Sequence, residues 1–307
     1  MTVRPIAASE LRRFAATLDP DRSAWVEEML SRFWNEGRSS PGQCFVAEEQ
    51  GTQVARVAYW SQLRNPADLF IFGLALPWQS DYLVVGKELL GASLEQMRNR
   101  GAVSVTHYFY AEFDGHVEER HRLMPELGFR MFQDKVRHLW TGARLPAVPD
   151  RLVFRTVPEA GEEAFLAAVR RVTVGTLDRE DQARVEQLGA EAAAREYLRL
   201  LDDADDPSRD WWLLGYDGAG ELIGLVVPQP LDEEECTIGY IGVVPEMRGR
   251  GYALDLLVKA TALLQSRGFG RSVAEVDRLN APMRAALERA GYLATGPLWA
   301  YRLELAA

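Results

Sequence analysis

From Tyr252 onward, apolar residues return every three or four positions, at Tyr252, Leu256, Leu257, Ala260, Leu263 and Leu264, until Gly268. That period predicts an amphipathic helix stopped by a glycine. The run before it, "TIGYIGVVP" (237–245), is short, apolar and ended by proline, as a buried strand would be. The same pair stands in the first half. "LFIFGLALP" (69–77) precedes Leu83, Leu89, Leu90, Leu94 and Met97, and Gly101 ends the pattern. Further strand-like runs follow in step, "AVSVTHYFY" (102–110) and "RSVAEV" (271–276). Then come two helical stretches closing in Gly-aromatic, "ELGFRMF" (126–132) and "RAGYLAT" (289–295), and two final strands, 136–140 and 299–305. Pro77 to Pro245 is an offset of 168 residues and Gly128 to Gly291 one of 163. Four elements at similar offsets point to a duplicated domain.

"TGARLPAVPDRL" (141–152) has two prolines, a glycine and no helical period, and reads as the linker between the copies. "WWLLGYDGAGELIGLVV" (211–227) reads as a hairpin around "DGAG". The acidic run 202–210 reads as a solvated loop after the helix "AEAAAREYLRLL". In each half the order is helices, antiparallel strands, the proline-ended strand, helix, strand, helix, strand. That order predicts an α+β layered architecture.

Composition narrows the partners. The chain has 307 residues, 47% of them hydrophobic and 26% charged, enough for two cored domains. A net charge of −10 argues against nucleic acid, which binds by phosphate neutralisation. No run of 18 apolar residues occurs, no membrane partner is expected, and a cytoplasmic location follows. Cys44 and Cys236 read as two buried thiols. The four histidines, His107, His116, His121 and His138, show no metal spacing, so no metal is expected.

The turn "VVPEMRGRGYALDLL" (243–257) concentrates the chemistry. A helix starting at Gly249 to Gly251 leaves its first N–H groups without partners, and its dipole adds positive charge there. Glycines let a ligand approach the backbone, and Arg248 and Arg250 add donors. The result is an anion cradle. A Walker loop is excluded because Gly-Lys-Ser/Thr is absent. A dinucleotide turn is disfavoured because no third glycine follows.

With Arg248, Gly251 and Ala253, this segment resembles the Arg/Gln-x-x-Gly-x-Gly/Ala acyl-CoA signature of the GCN5-related N-acetyltransferases (GNAT). "NAPMRAALERAGY" (280–292) looks like the family's Asn…Gly-Tyr helix. The resemblance covers 151–307 directly and 1–150 through the repeat. The layout is similar to that of two-domain members, mycothiol synthases among them. It implies two tandem GNAT domains, each a central mixed, mostly antiparallel sheet flanked by helices. The first, 1–145, is a degenerate domain without the cofactor motif, and the second, 151–307, holds acetyl-CoA as co-substrate. It further implies that the strand over Ile241, Gly242 and Val243 parts from the next strand and receives the pantetheine arm. Arg248, Gly249, Arg250, Gly251, Tyr252 and Ala253 would take the phosphates, and Asn280 the pantetheine or phosphate side.

In the first copy Ser80 stands for Arg248, Asp81 for Gly249, Leu83 for Gly251 and Val85 for Ala253. Bulk and negative charge there oppose phosphate, so that copy is expected to support rather than bind.

Transfer to an amine calls for a base, since a free alkylamine of pKa ~10 is almost wholly protonated at pH 7. Glu235, before the parted strand, is the first candidate, against a solvated acidic turn. Tyr240 faces either substrate or core. Glu275 and Asp277 either bind a cationic amine or lie on the surface. The family's acid tyrosine is replaced by Leu287, and Tyr252 and Tyr292 are either substitutes or core residues. The expected activity is acetyl transfer to a primary amine of a small molecule, in a ternary complex, by a monomer or homodimer. The alternatives are a non-catalytic acyl-CoA sensor or scaffold, and a protein N-acetyltransferase.

Overall fold

The computed structural model describes residues 1–147, 150–202 and 209–305. Most of the acidic run 202–210 and two residues of the linker lie outside them. The elements run β1 (Thr2–Pro5), α1 (Leu11–Ala16), α2 (Ser23–Asn35), β2 (Cys44–Glu49), β3 (Thr52–Gln62), β4 (Asn65–Ala75), α3 (Tyr82–Asn99), β5 (Ser104–Tyr110), α4 (Val117–Glu126) and β6 (Arg130–Trp140). They continue with β7 (Val153–Thr156), α5 (Val157–Ala160), α6 (Glu162–Thr173), α7 (Arg179–Leu188), α8 (Ala190–Asp202), β8 (Leu213–Tyr216) and β9 (Leu222–Pro230). The last five are β10 (Glu235–Val243), α9 (Tyr252–Ser266), β11 (Arg271–Asp277), α10 (Ala281–Arg289) and β12 (Leu293–Glu304).

Two compact units result, Met1–Phe132 with Trp299–Ala307, and Gln133–Leu298. The division falls inside β6 and β12, whereas the linker divides the sequence into 1–145 and 151–307. A strand is completed by ladder hydrogen bonds, and those bonds ignore chain order. In the second unit, residues 135–140 of β6 pair antiparallel with β11, from Lys135↔Asp277 to Trp140↔Ser272. In the first unit, the end of β12 lies beside β5.

The first unit's sheet has the order β1-β2-β3-β4-β5-β12, antiparallel from β1 to β4, with β4 and β5 parallel. Its strands are apolar on both faces, as a sheet covered by helices on both sides requires. Cys44, Val46 and Ala58 pack with Phe14, Val26 and Leu30 of α1 and α2. Phe45, Ala47, Val57 and Tyr59 face Leu89, Leu90 and Leu94 of α3. The second unit orders its strands β7-β8-β9-β10-β11-β6; among the described residues β10 and β11 run parallel and the other neighbours antiparallel. Its core joins Phe165 and Val169 of α6, Leu256 and Leu257 of α9, and Leu225 and Val227 of β9.

Backbone proximity sets one glycine of this sheet. At Gly224 of β9 a Cβ would lie 2.2 Å from the carbonyl oxygen of Gly242. Backbone cannot yield as a side chain can, so Gly224→Ala is expected to cost roughly 2–4 kcal/mol or more. Gly218, in the β8–β9 turn, has open space and Gly218→Ala serves as the near-neutral control. Urea unfolding of the two variants checks the difference.

Candidate active site

β10 and β11 begin as paired strands and then separate. They pair at Glu235↔Arg271, Cys236↔Ser272 and Thr237↔Val273, yet β10 runs on to Val243 and β11 to Asp277. On its other edge β10 stays paired with β9 through Val243, with one extra residue at Gly239 between Ile238↔Pro228 and Tyr240↔Val227. Such a bulge bends one strand and increases its twist, which carries β10 away from β11. Glycine suits the position, because a Cβ would come 2.4 Å from Gln229 Oε1. At Gly242 a Cβ would meet Val172 of α6 at 2.7 Å, so α6 packs directly on the strand. Between the parted strands lies a cavity of about 710 Å³, walled by 238–243 on one side and 274–276 on the other. Asn280, just before α10, and Met283 and Leu287 of α10 also line it.

At one end the chain turns from β10 into α9. Gly249 has φ +74° and Gly251, the residue before the helix, φ +84°. Both are left-handed conformations that glycine adopts without strain. Among the described residues, the amides of Gly249, Arg250, Gly251, Tyr252 and Ala253 have no hydrogen-bond partner within the protein. Together with the start of the α9 dipole they form an anion cradle. The turn is braced by Arg151. Its Nε donates to Asp255 Oδ2 at 2.6 Å, its Nη2 to the Arg250 carbonyl at 3.1 Å, and its guanidinium lies 4.1 Å from the Tyr252 ring centroid.

The two arginines of the motif differ in use. Arg250 is exposed, and its guanidinium has no partner among the described residues. Arg248 donates to three backbone carbonyls, Val243 through Nε at 3.0 Å, Gly175 through Nη1 at 2.9 Å and Val172 through Nη2 at 2.8 Å. Asn280 caps α10, its Oδ1 accepting from the Met283 amide at 3.2 Å while its side chain also faces the cavity.

The other end of the cavity is polar and buried. The Tyr240 hydroxyl donates to Asp181 Oδ2 of α7 at 3.1 Å, and its ring lies 4.2 Å from that of Tyr197 of α8. The Tyr197 hydroxyl donates to the Gly239 carbonyl at 3.3 Å, fastening the bulge. Asp181 is 5% exposed. Burial, reinforced by nearby Asp178, pushes its carboxyl up to about 7, against the opposing pull of Arg184 and the Tyr240 hydroxyl. Burial, then the Asp181 charge, raises the Tyr240 phenol well above its ordinary value. Lys135 and Glu275 also reach the cavity. Burial disfavours the Lys135 charge, but Asp178, Glu180 and Glu275 outweigh it and hold the ammonium.

Tyr240, Ile241, Gly242, Val243, Arg248, Gly249, Gly251, Tyr252, Ala253 and Asn280 gather around one space, and Arg250 is not part of its wall. Glu235 does not join them. It sits where β10 is still paired, held by Arg137 at 3.3 Å and Arg271 at 3.2 Å, and is not part of the cavity wall. The bulge after it also breaks the alternation that placed it on the substrate face. Asp277 is bound to Arg179 at 2.8 Å. Leu287, in place of the family tyrosine, is buried against the cavity. Tyr292 is a core residue bonded to Thr261 and Ser272. Asp181, Tyr197 and Arg151 escape sequence reasoning. Asp181 is one acid among several in "LDREDQARVEQL", and Asp178, which caps α7, carries the stronger local signal.

Comparison with known proteins agrees with this geometry. Residues 177–292 match the acetyltransferase (GNAT) family. The second unit carries a GNAT acetyltransferase domain. The whole chain is similar to a mycothiol acetyltransferase of Actinosynnema mirum, 29% identical over 296 residues that cover 94% of this chain and 93% of the relative. Among solved structures, a GCN5-related N-acetyltransferase from Sphaerobacter thermophilus aligns at TM-score 0.65 and 21% identity, covering 100% of this chain and 96% of its own. A tandem GNAT protein from the clavulanic acid biosynthesis pathway aligns at TM-score 0.54 and 13% identity, covering 100% and 99%. The tandem GNAT fold is therefore shared along the full length, and residues 177–292 are similar to the acetyltransferase (GNAT) family.

The shifted acid has a stability consequence. An acid whose folded pKa exceeds its unfolded value costs stability as it ionises. The cost is absent below the unfolded value of ~4 and complete above about 7. Asp181→Asn is expected to raise Tm relative to the parent at pH 8 and to change it little near pH 4. An equal Tm difference at both pH values would show that the carboxyl is not shifted.

Proposed function

We propose that this protein transfers the acetyl group of acetyl-CoA to a primary amine of a small molecule, by direct attack within a ternary complex. The observation that carries the reading is one continuous cavity with free amides of an anion cradle at one end and the Tyr240–Asp181 pair at the other. The cradle from Gly249 to Ala253, with Arg250 beside it, suits a pyrophosphate. The unpaired edge of Ile241 to Val243 suits an extended amide-bearing arm. Acetyl-CoA supplies the activated thioester, and the chain's residues supply orientation and proton transfer. Asp181, ionised above about pH 7, accepts the proton that the attacking amine must lose. As the new C–N bond forms, the C–S bond breaks, and the thiolate takes a proton from the Tyr240 hydroxyl or from water. The phenol suits that task because it stays protonated. Leu287 offers no hydroxyl, so Tyr240 takes the place of the family acid.

In this reading the first unit is a supporting GNAT-like domain. Its strands β4 and β5 also stop pairing early, after Phe70↔Thr106. Just beyond that point Arg120 donates to His107 Nε2 at 2.9 Å and lies over Trp78 at 4.7 Å, joining the two strand ends. Asp81 stands where a phosphate cradle would begin.

The test is CoA thiol release against a panel of amines. The likeness to a protein called a mycothiol acetyltransferase puts mycothiol-type amines first in that panel. Gly249→Asp places a carboxylate in open space in the cradle, while Gly249→Asn imposes similar backbone strain without charge. Isothermal titration is expected to show acetyl-CoA affinity falling by at least ~tenfold for Asp and by less for Asn. Equal losses would sink the cradle assignment, and tight acetyl-CoA binding without turnover of any amine would make the protein a binder instead.

Asp181→Asn is expected to lower kcat by about 10²–10³. The parent's kcat/KM should rise with pH through about 7, as the carboxylate forms, and the variant should lack that rise. A pH–rate profile on both proteins decides it.

A further inference from the structure

The side chain of Arg248 is occupied in a way that the acyl-CoA signature does not anticipate. Two of its three bonds go to the Val172 and Gly175 carbonyls, at and just past the C-terminal turn of α6. A helix leaves its last carbonyls without intrahelical partners and gathers partial negative charge there. A planar guanidinium can satisfy several such oxygens at once, and a lysine ammonium cannot do so with the same geometry. The third bond, to the Val243 carbonyl, anchors the same side chain to the end of β10.

What this clamp holds is a wall of the cavity. Gly175, Thr176, Leu177 and Asp178 all line it, and they lead directly into α7, which carries Asp181. Gly175 has φ +59°, so the chain reverses there and does not continue α6. The segment's other ties are mostly local: the Val174 amide donates to the Arg171 carbonyl at 3.4 Å, the Thr176 amide to the Thr173 carbonyl at 3.1 Å, the Asp178 amide to Thr176 Oγ1 at 3.2 Å and Gln182 Nε2 to the Thr176 carbonyl at 2.6 Å, and Asp178 faces Lys135 at 3.7 Å. Those ties run back into α6, forward into α7 and to Lys135 of β6, and Arg248 ties the segment to the β10–α9 turn.

We infer that Arg248 is a positioning residue for the acceptor side of the site rather than a ligand of the acetyl-CoA phosphates. It locks residues 173–178, and through them α7 and Asp181, onto the β10–α9 turn. Cation contacts to the phosphates then fall to Arg250 and the backbone amides. The inference rests on the reading of the cavity as an acetyl-transfer site, but one of its readouts does not.

The experiment compares Arg248→Lys and Arg248→Gln with the parent. For both variants the KM of the best amine should rise by ~tenfold or more, as expected when charged hydrogen bonds that order a wall are lost. The acetyl-CoA Kd should change by less than ~threefold and keep its dependence on salt. Amide hydrogen exchange at 174–178 should quicken in the protein alone. A rise in acetyl-CoA Kd larger than the rise in amine KM, with a flattened salt dependence, would overturn the inference. If no amine is turned over, the proposed function fails by itself. Exchange at 174–178 then decides this inference, quickened exchange supporting it and unchanged exchange overturning it. Loss of the folded state in both variants would also overturn it, since Arg248 would then hold the fold and not the acceptor wall.

Discussion

Everything in the site follows from three backbone pairs and the absence of a fourth. β10 and β11 are parallel neighbours only as far as Thr237↔Val273. A buried sheet normally pairs its backbone groups because an unpaired one is costly. Here the edge of β10 remains open along a cavity, and the extra residue at Gly239 turns the strand away from its neighbour. The cost is contained because the other edge of β10 stays paired with β9 to the end of the strand. Glycines at 224, 239 and 242 allow the tight packing that keeps the bend in place.

Charge within the second unit is divided according to burial. The exposed Arg250 and free amides sit at the start of α9, where a multiply charged ligand could be met in water. The buried Asp181 sits at the far end, where desolvation brings its pKa into the range useful for proton transfer. Arg248 donates to three backbone carbonyls. Glu235, paired with two arginines where β10 and β11 are still joined, does not have the position of Asp181.

The first unit shows what the same strand parting becomes without a cradle. Arg120, 3% exposed, is bonded to His107 and covered by Trp78. Burial lowers both groups, the arginine to about 10 and the histidine well below its ordinary value, so the histidine is neutral and accepts. Side chains thus join strand ends that in the second unit border a ligand-sized space.

The duplicated order of elements and the strand–turn–helix at 243–257 were legible in the chain, because each depends on local periodicity or on glycine and proline within a few residues. The cradle was legible for the same reason, being one contiguous turn. The Tyr240–Asp181 side of the cavity was not. Tyr240 meets Asp181 across 59 residues of sequence, and Arg248 meets Val172 across 76. Nor could the linker reveal that β6 serves the second unit and the end of β12 the first. Pairing, burial and pKa are set by which surfaces come together, and only the tertiary structure decides that.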